Sequence, residues 1–205
     1  MEIIELIIDE NEEYSGIEAI SVVESPAIEE EFIALKNQDK IRLAEVSKEK
    51  RLLMGAALIP EKPIYRKTDE NEFYIYFSKE TVAKASQMFL KNGNQGQATL
   101  EHTEKKLEGM NIVESWLVED DVHDKSRKYG LDMPIGTWMV SMKVDNDDIW
   151  NNYVKENKIK GFSIEGYFAD KLNKPQDKQK DNYNEDDKLL NQIIDVLKES
   201  NTNSK

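Results

Sequence analysis

The chain has 205 residues, enough for one well-cored domain of roughly 150 to 170 residues with an appendage and too few for two full domains. Acidic residues outnumber basic ones 41 to 28, a formal charge of −13, so a polyanion such as DNA is repelled and nucleic-acid binding is disfavoured. No cysteine is present, which excludes a disulfide scaffold, a cysteine nucleophile and thiolate metal sites.

Residues 1–9 are rich in isoleucine and read as a strand. They are acidic rather than basic and their apolar residues are interrupted, so neither a signal peptide nor a membrane span is expected, and the chain reads as soluble. A turn at Ser15-Gly16 leads into a second strand over 17–23, closed by Glu24-Ser25-Pro26. Its alternation puts Glu18, Ile20, Val22 and Glu24 on one face and Ala19, Ser21 and Val23 on the other. A short apolar piece follows at 32–35. The apolar block 51–60 reads as a strand with a bulge at Gly55, since Pro60 and Pro63 stop a helix.

Residues 72–77, aromatic and β-branched, form the clearest strand. Ser78 is placed to cap a helix with Glu80 in its first turn, with Val82, Ala85 and Phe89 at helical spacing and Asn92-Gly93 as the stop. A β-branched run at 98–103 carries His102 at its end, and 110–118 is strand by composition. A charged loop over 119–130 holds His123, and strand resumes at 136–144. Asp145-Asn146-Asp147-Asp148 then caps a short helix through Trp150 and Tyr153. The strand at 160–168 is the last.

Beyond residue 170 the composition turns to Asn, Lys, Gln and Asp, a solvated linker over 171–187. An amphipathic helix and tail occupy 188–205, with Leu190, Ile193, Ile194 and Leu197 in one stripe. Alone such a helix is marginal, so it is expected to dock on the domain at 1–170, on a second copy as a homodimer, or on a partner. The order of elements predicts a mainly β fold with helices (α+β), about seven strands in a closed or nearly closed barrel with helices outside.

The candidate chemistry centres on Lys160-Gly161-Phe162-Ser163-Ile164-Glu165-Gly166-Tyr167-Phe168. A serine between glycines in a strand marks a bulge or close backbone approach more often than a nucleophile. His102, one of two histidines, supplies the base that a hydroxyl nucleophile needs, although a strand-end histidine bonded to a neighbour is the blander alternative. No phosphate-binding or zinc-protease motif is present, so neither cofactor nor metal is expected. The hydrolase elbow Gly-x-Ser-x-Gly is absent too, because Glu165 stands where it needs glycine.

Thr99-Leu100-Glu101-His102, Val113 to Asp120, Gly136 to Val144 and Gly161-Phe162-Ser163-Ile164-Glu165-Gly166 together resemble the XkdF-like serine proteases of tailed bacteriophages. So do Gly55 to Pro60, Pro63 to Arg66 and Phe73 to Glu80, and the resemblance covers roughly residues 15–170. It implies a prohead maturation protease related more distantly to the herpesvirus assemblin fold, a β-barrel surrounded by helices. Ser163 would be the nucleophile and His102 the general base. Capsid scaffold and major capsid precursor would be the substrates, and the host cytoplasm, inside the prohead, the place of action.

In related prohead proteases a strand ending in Pro-Ala follows the serine and carries the third, acidic residue. Here the similar segment, Ala19-Ile20-Ser21-Val22-Val23-Glu24-Ser25-Pro26-Ala27, lies at the N-terminus as if permuted, and Ala19 takes the acidic position. Glu24 and Glu18 are then the expected third members, followed by Glu114 and by His123 as a second histidine. Glu18 needs a bulge to reach the right face. The missing acid also motivates an alternative, a catalytically inactive structural or scaffolding component of the prohead that keeps the protease fold.

Overall fold

The computed structural model describes residues 2–9, 15–28, 33–35, 50–67 and 71–170. The described residues fall within one compact unit, and the linker and helix expected after residue 170 lie outside the described residues.

The β-branched and aromatic runs form strands as their composition predicts. In chain order these are β1 (Glu2–Ile7), β2 (Gly16–Val23), β3 (Ile33–Leu35), β4 (Leu52–Leu58), β5 (Ile64–Lys67), β6 (Glu72–Phe77), β7 (Ala98–Leu100), β8 (Met110–Leu117), β9 (Trp138–Val144), β10 (Gly161–Tyr167) and β11 (Ala169–Asp170). They pair as three sheets, β11-β1-β6-β5, β10-β2-β7 and β3-β4-β9-β8. The fold is mainly β with helices, as expected. The closed barrel is not: among the described residues each sheet ends in edge strands, and β1 pairs in parallel with β6 rather than with β2. Strand patterns reveal which residues pair somewhere, but closure depends on long-range partners that patterns do not name.

Helix α1 (Lys79–Lys91) begins where the sequence places it, Ser78 Oγ accepting the Thr81 N–H at 3.3 Å, and ends at Asn92. Its apolar stripe, Val82, Ala85 and Phe89, is buried, and Phe89 meets Trp138 of β9 edge-to-face at 5.4 Å between ring centroids. The charged loop contains one short helix, α2 (Lys125–Lys128), capped by Asp124, which accepts the Ser126 N–H at 2.8 Å. After β9, Asn146 caps α3 (Asp147–Ile149), which widens into a π turn over Trp150–Val154.

The three-stranded sheet positions the candidate site. Ile20 and Val22 of its central strand β2 are fully buried in the core. That burial pins the register, because a one-residue slip would turn both side chains out of the core.

Candidate active site

Register sets three hydroxyls in one row. Ser163 on β10 lies opposite Ser21 on β2, and Ser21 lies opposite Thr99 on β7. Directly paired residues carry their side chains on the same face. Ser163, Ser21 and Thr99 are 7%, 0% and 4% exposed, a buried polar line in a sheet whose other face is apolar. Buried hydroxyls need partners or a use. Thr99 and Ser21 have partners, described below, whereas Ser163 Oγ makes no hydrogen bond among the described residues.

The chain reverses immediately after β7. Thr103 N–H donates to the Leu100 carbonyl at 3.0 Å, and the two central residues, Glu101 and His102, have φ of 50° and 56°. Two left-handed residues in succession define a type I′ turn, a geometry that asparagine and glycine adopt most readily. Crowding of each Cβ against the following carbonyl oxygen makes it cost on the order of 1–2 kcal/mol per residue. Three bonds hold it. Glu101 N–H donates to the Val22 carbonyl at 3.2 Å, Glu101 Oε1 accepts the Glu24 N–H at 2.7 Å, and His102 N–H donates to Ser21 Oγ at 3.0 Å. His102 therefore sits in a tied, strained turn rather than in the strand end predicted for it. Its backbone is fastened to the residue directly across from Ser163.

The histidine ring meets a carboxylate that sequence reasoning passed over. His102 Nδ1 lies 3.3 Å from Glu165 Oε1, and Thr99 Oγ1 donates to the same oxygen. Glu165 stands two residues after Ser163 in one strand, so both project from the same face. That spacing is visible in the sequence, but the hydrolase elbow, which needs glycine at 165, gives it no role. Glu165 also lies directly opposite Ala19, the position where the related strand pattern carries its acid. Paired Cβ atoms are only about 5 Å apart, so a glutamate on β10 reaches space that an acid on β2 would occupy.

The other candidates lie elsewhere. Among the described residues no ion pair joins His102 to Glu24 or Glu18. Glu18 is the extra residue of a bulge on β2 opposite Glu165 and Gly166, so the condition for its change of face is met. It is exposed and lines a polar cleft of about 420 Å³ with Glu165. Glu114 is paired with Lys125 Nζ at 2.6 Å; burial opposes its charge, but hydrogen bonding to Lys125 helps hold its carboxyl below the usual range. His123 Nδ1 lies 3.0 Å from Asp120 Oδ2 on the surface, with its side chain 82% exposed. Hydrogen bonds from the His123 backbone and ring and from the Val122 backbone bring Asp120 down to about 2.

Gly166 has a steric duty. A Cβ there would lie 2.0 Å from the Gly16 carbonyl oxygen, so β10 and β2 can approach this closely only with glycine. On the other side of β10 an apolar cleft of about 340 Å³ reaches Ser163. Among the described residues no group of three or more histidine, aspartate or glutamate side chains could hold a metal ion, and no helix is long and apolar enough to cross a membrane.

Chemically, a carboxylate beside Nδ1 favours the tautomer with its hydrogen there, which leaves the Nε2 lone pair for accepting a proton. A hydroxyl without a hydrogen-bond partner and a carboxylate share one sheet face, and an imidazole from the adjoining turn lies against that carboxylate, although no hydrogen bond joins Ser163 to His102 among the described residues. The family model described as "Putative phage serine protease XkdF" matches residues 40–173. The chain belongs to this family. The XkdF-family match contains His102, Ser163 and Glu165 and begins after β1 and β2, whereas the resemblance read from sequence reached back to about residue 15. No curated protein and no solved structure matches the chain.

Proposed function

We propose that the protein is a phage serine endopeptidase in which Ser163 is the nucleophile, His102 the general base and Glu165 the acid that orients His102. The observation that carries this reading is the His102 ring held against Glu165 by a strained turn whose backbone is bonded to the residue opposite Ser163. Ser163 Oγ attacks the scissile carbonyl carbon while His102 Nε2 takes its proton. The C–N bond then breaks as His102 returns that proton to the leaving amine. Water, deprotonated by the same imidazole, hydrolyses the ester on Ser163 and restores the hydroxyl. Thr99 holds Glu165 in place through its hydroxyl.

The substrates in this reading are scaffold and capsid-precursor proteins inside the immature shell, in the host cytoplasm, and the protein's own tail. Kinship with the herpesvirus assemblin proteases is part of the same reading and rests on the sequence motifs, not on closure of a barrel. The alternative, an inactive shell component, drew its support from Ala19, and that support weakens with a glutamate one strand away reaching the same space.

The test is co-expression with a scaffold protein. Ser163→Ala is expected to abolish processing while leaving the fold intact, and a fluorophosphonate is expected to label Ser163 only when His102 is present. Undiminished processing by Ser163→Ala would end the serine mechanism.

A further inference from the structure

The apolar cleft beside Ser163 has β10 itself as one wall and draws the rest from elements that do not otherwise form the site: β1, the Ala27-Ile28 segment, the end of β4, and strands β5 and β6. Its walls are aliphatic and aromatic, with Leu58, Ile75, Phe77 and Phe168 among them, and Phe77 and Phe168 stack edge-to-face at 4.8 Å between centroids. Among the described residues the one charged side chain lining it is Arg66, which donates to the Tyr65 carbonyl at 3.0 Å. A bulge in β4 makes room: register with β9 skips between Ala56 and Leu58, and both Ala57 and Leu58 line the cleft. At about 340 Å³ the space lies at the small end of the range of roughly 300–1,000 Å³ typical of ligand sites. That volume suits one large side chain with its adjoining backbone.

Resting on the protease reading, we propose that this cleft binds a large apolar side chain, such as leucine, methionine or phenylalanine, in the peptide substrate next to the bond Ser163 attacks. The argument is continuity: Ser163 itself forms part of the cleft wall, so a peptide whose carbonyl reaches its hydroxyl has an adjacent side chain at the cleft mouth. Burying such a side chain against these walls favours it over a small or charged one. In a shaped apolar pocket each methylene is worth about 10-fold or more in kcat/KM. A protease so built cuts precursor segments at apolar residues and spares the charged stretches around them.

The experiment uses the full chain and a degenerate decapeptide library, with cleavage products mapped by mass spectrometry. Leucine, methionine or phenylalanine is expected to be enriched at least about 10-fold over glycine and aspartate at one position within three residues of the cut. Ala27→Phe, which fills the cleft from its partly buried edge, is expected to lose that enrichment while Ser163 is still labelled by the fluorophosphonate. That labelling separates a filled cleft from a misfolded variant. Cleavage by the wild-type chain without apolar enrichment overturns the cleft assignment and leaves the serine mechanism standing. Labelling of neither Ser163 nor any other residue, together with no cleavage, overturns the protease reading and this inference with it.

Discussion

Glu165 concentrates what single residues contribute here. It is one carboxylate with two bonding partners, His102 Nδ1 and Thr99 Oγ1, and both partners come from the β7 turn region rather than from its own strand. Its neutral isostere tests whether its charge matters for catalysis. Glu165→Gln keeps the shape but removes the charge that stabilises an imidazolium, so kcat/KM on a processed scaffold is expected to fall by about 10²–10⁴-fold. The thermal midpoint should move little, because the His102 side chain is 46% exposed and an exposed pair contributes little to stability. Full activity in Glu165→Gln would return the third position to Glu18, which lines the same cleft. Ser163 and His102 were legible as residues because serine between glycines and a rare histidine stand out. Glu165 was not, because glutamates are abundant and only strand pairing tells one from another.

Among the elements, the pair β10 and β2 governs the site. Gly166 permits the strands to meet, and the bulge at Glu18 absorbs the extra residue that brings Ser163 into register with Ser21. Gly166→Ala must push β2 away at its backbone, which does not yield as a flexible side chain would. A loss of about 1–3 kcal/mol in urea unfolding is expected, together with loss of Ser163 labelling as the register shifts. A stable, fully reactive Gly166→Ala protein would show that the close approach is dispensable. A similar lesson applies to β4. A bulge was expected at Gly55, but Gly55 pairs in register with Val140 and the irregularity falls at Ala57. Glycine tolerates a bulge without requiring one, and the bend comes where the strand turns its residues toward the apolar cleft.

For the molecule as a whole, charge sets the response to acid. Asp120 is held at about 2 against an ordinary value of 3.8, and Asp124 and Glu114 are shifted in the same direction. The folded carboxylates bind protons more weakly than the unfolded ones. Their stabilisation is therefore complete above the unfolded value and is lost as pH falls through the folded one, for Asp120 between 3.8 and about 2. Urea midpoints measured down this range should fall, and Asp120→Asn should flatten the decline. A variant with the wild-type acid slope would remove Asp120 from the account. None of these three carboxylates pairs with His102 among the described residues, so this loss of stability is separate from any effect of acid on the site itself.

Taken alone, the sequence determined where most strands and α1 lie, how α1 is capped, which serine and histidine to examine, and that the chain resembles a phage protease family. These are local matters: alternation, capping chemistry and short motifs act over a few residues. Tertiary structure decided that the described strands pair as three sheets, that His102 sits in a tied left-handed turn, and that Glu165 is the carboxylate beside it. Those outcomes depend on β2 lying between β10 and β7, segments far apart in the chain. The register there is chosen by burying Ile20 and Val22, a condition no stretch of sequence expresses by itself.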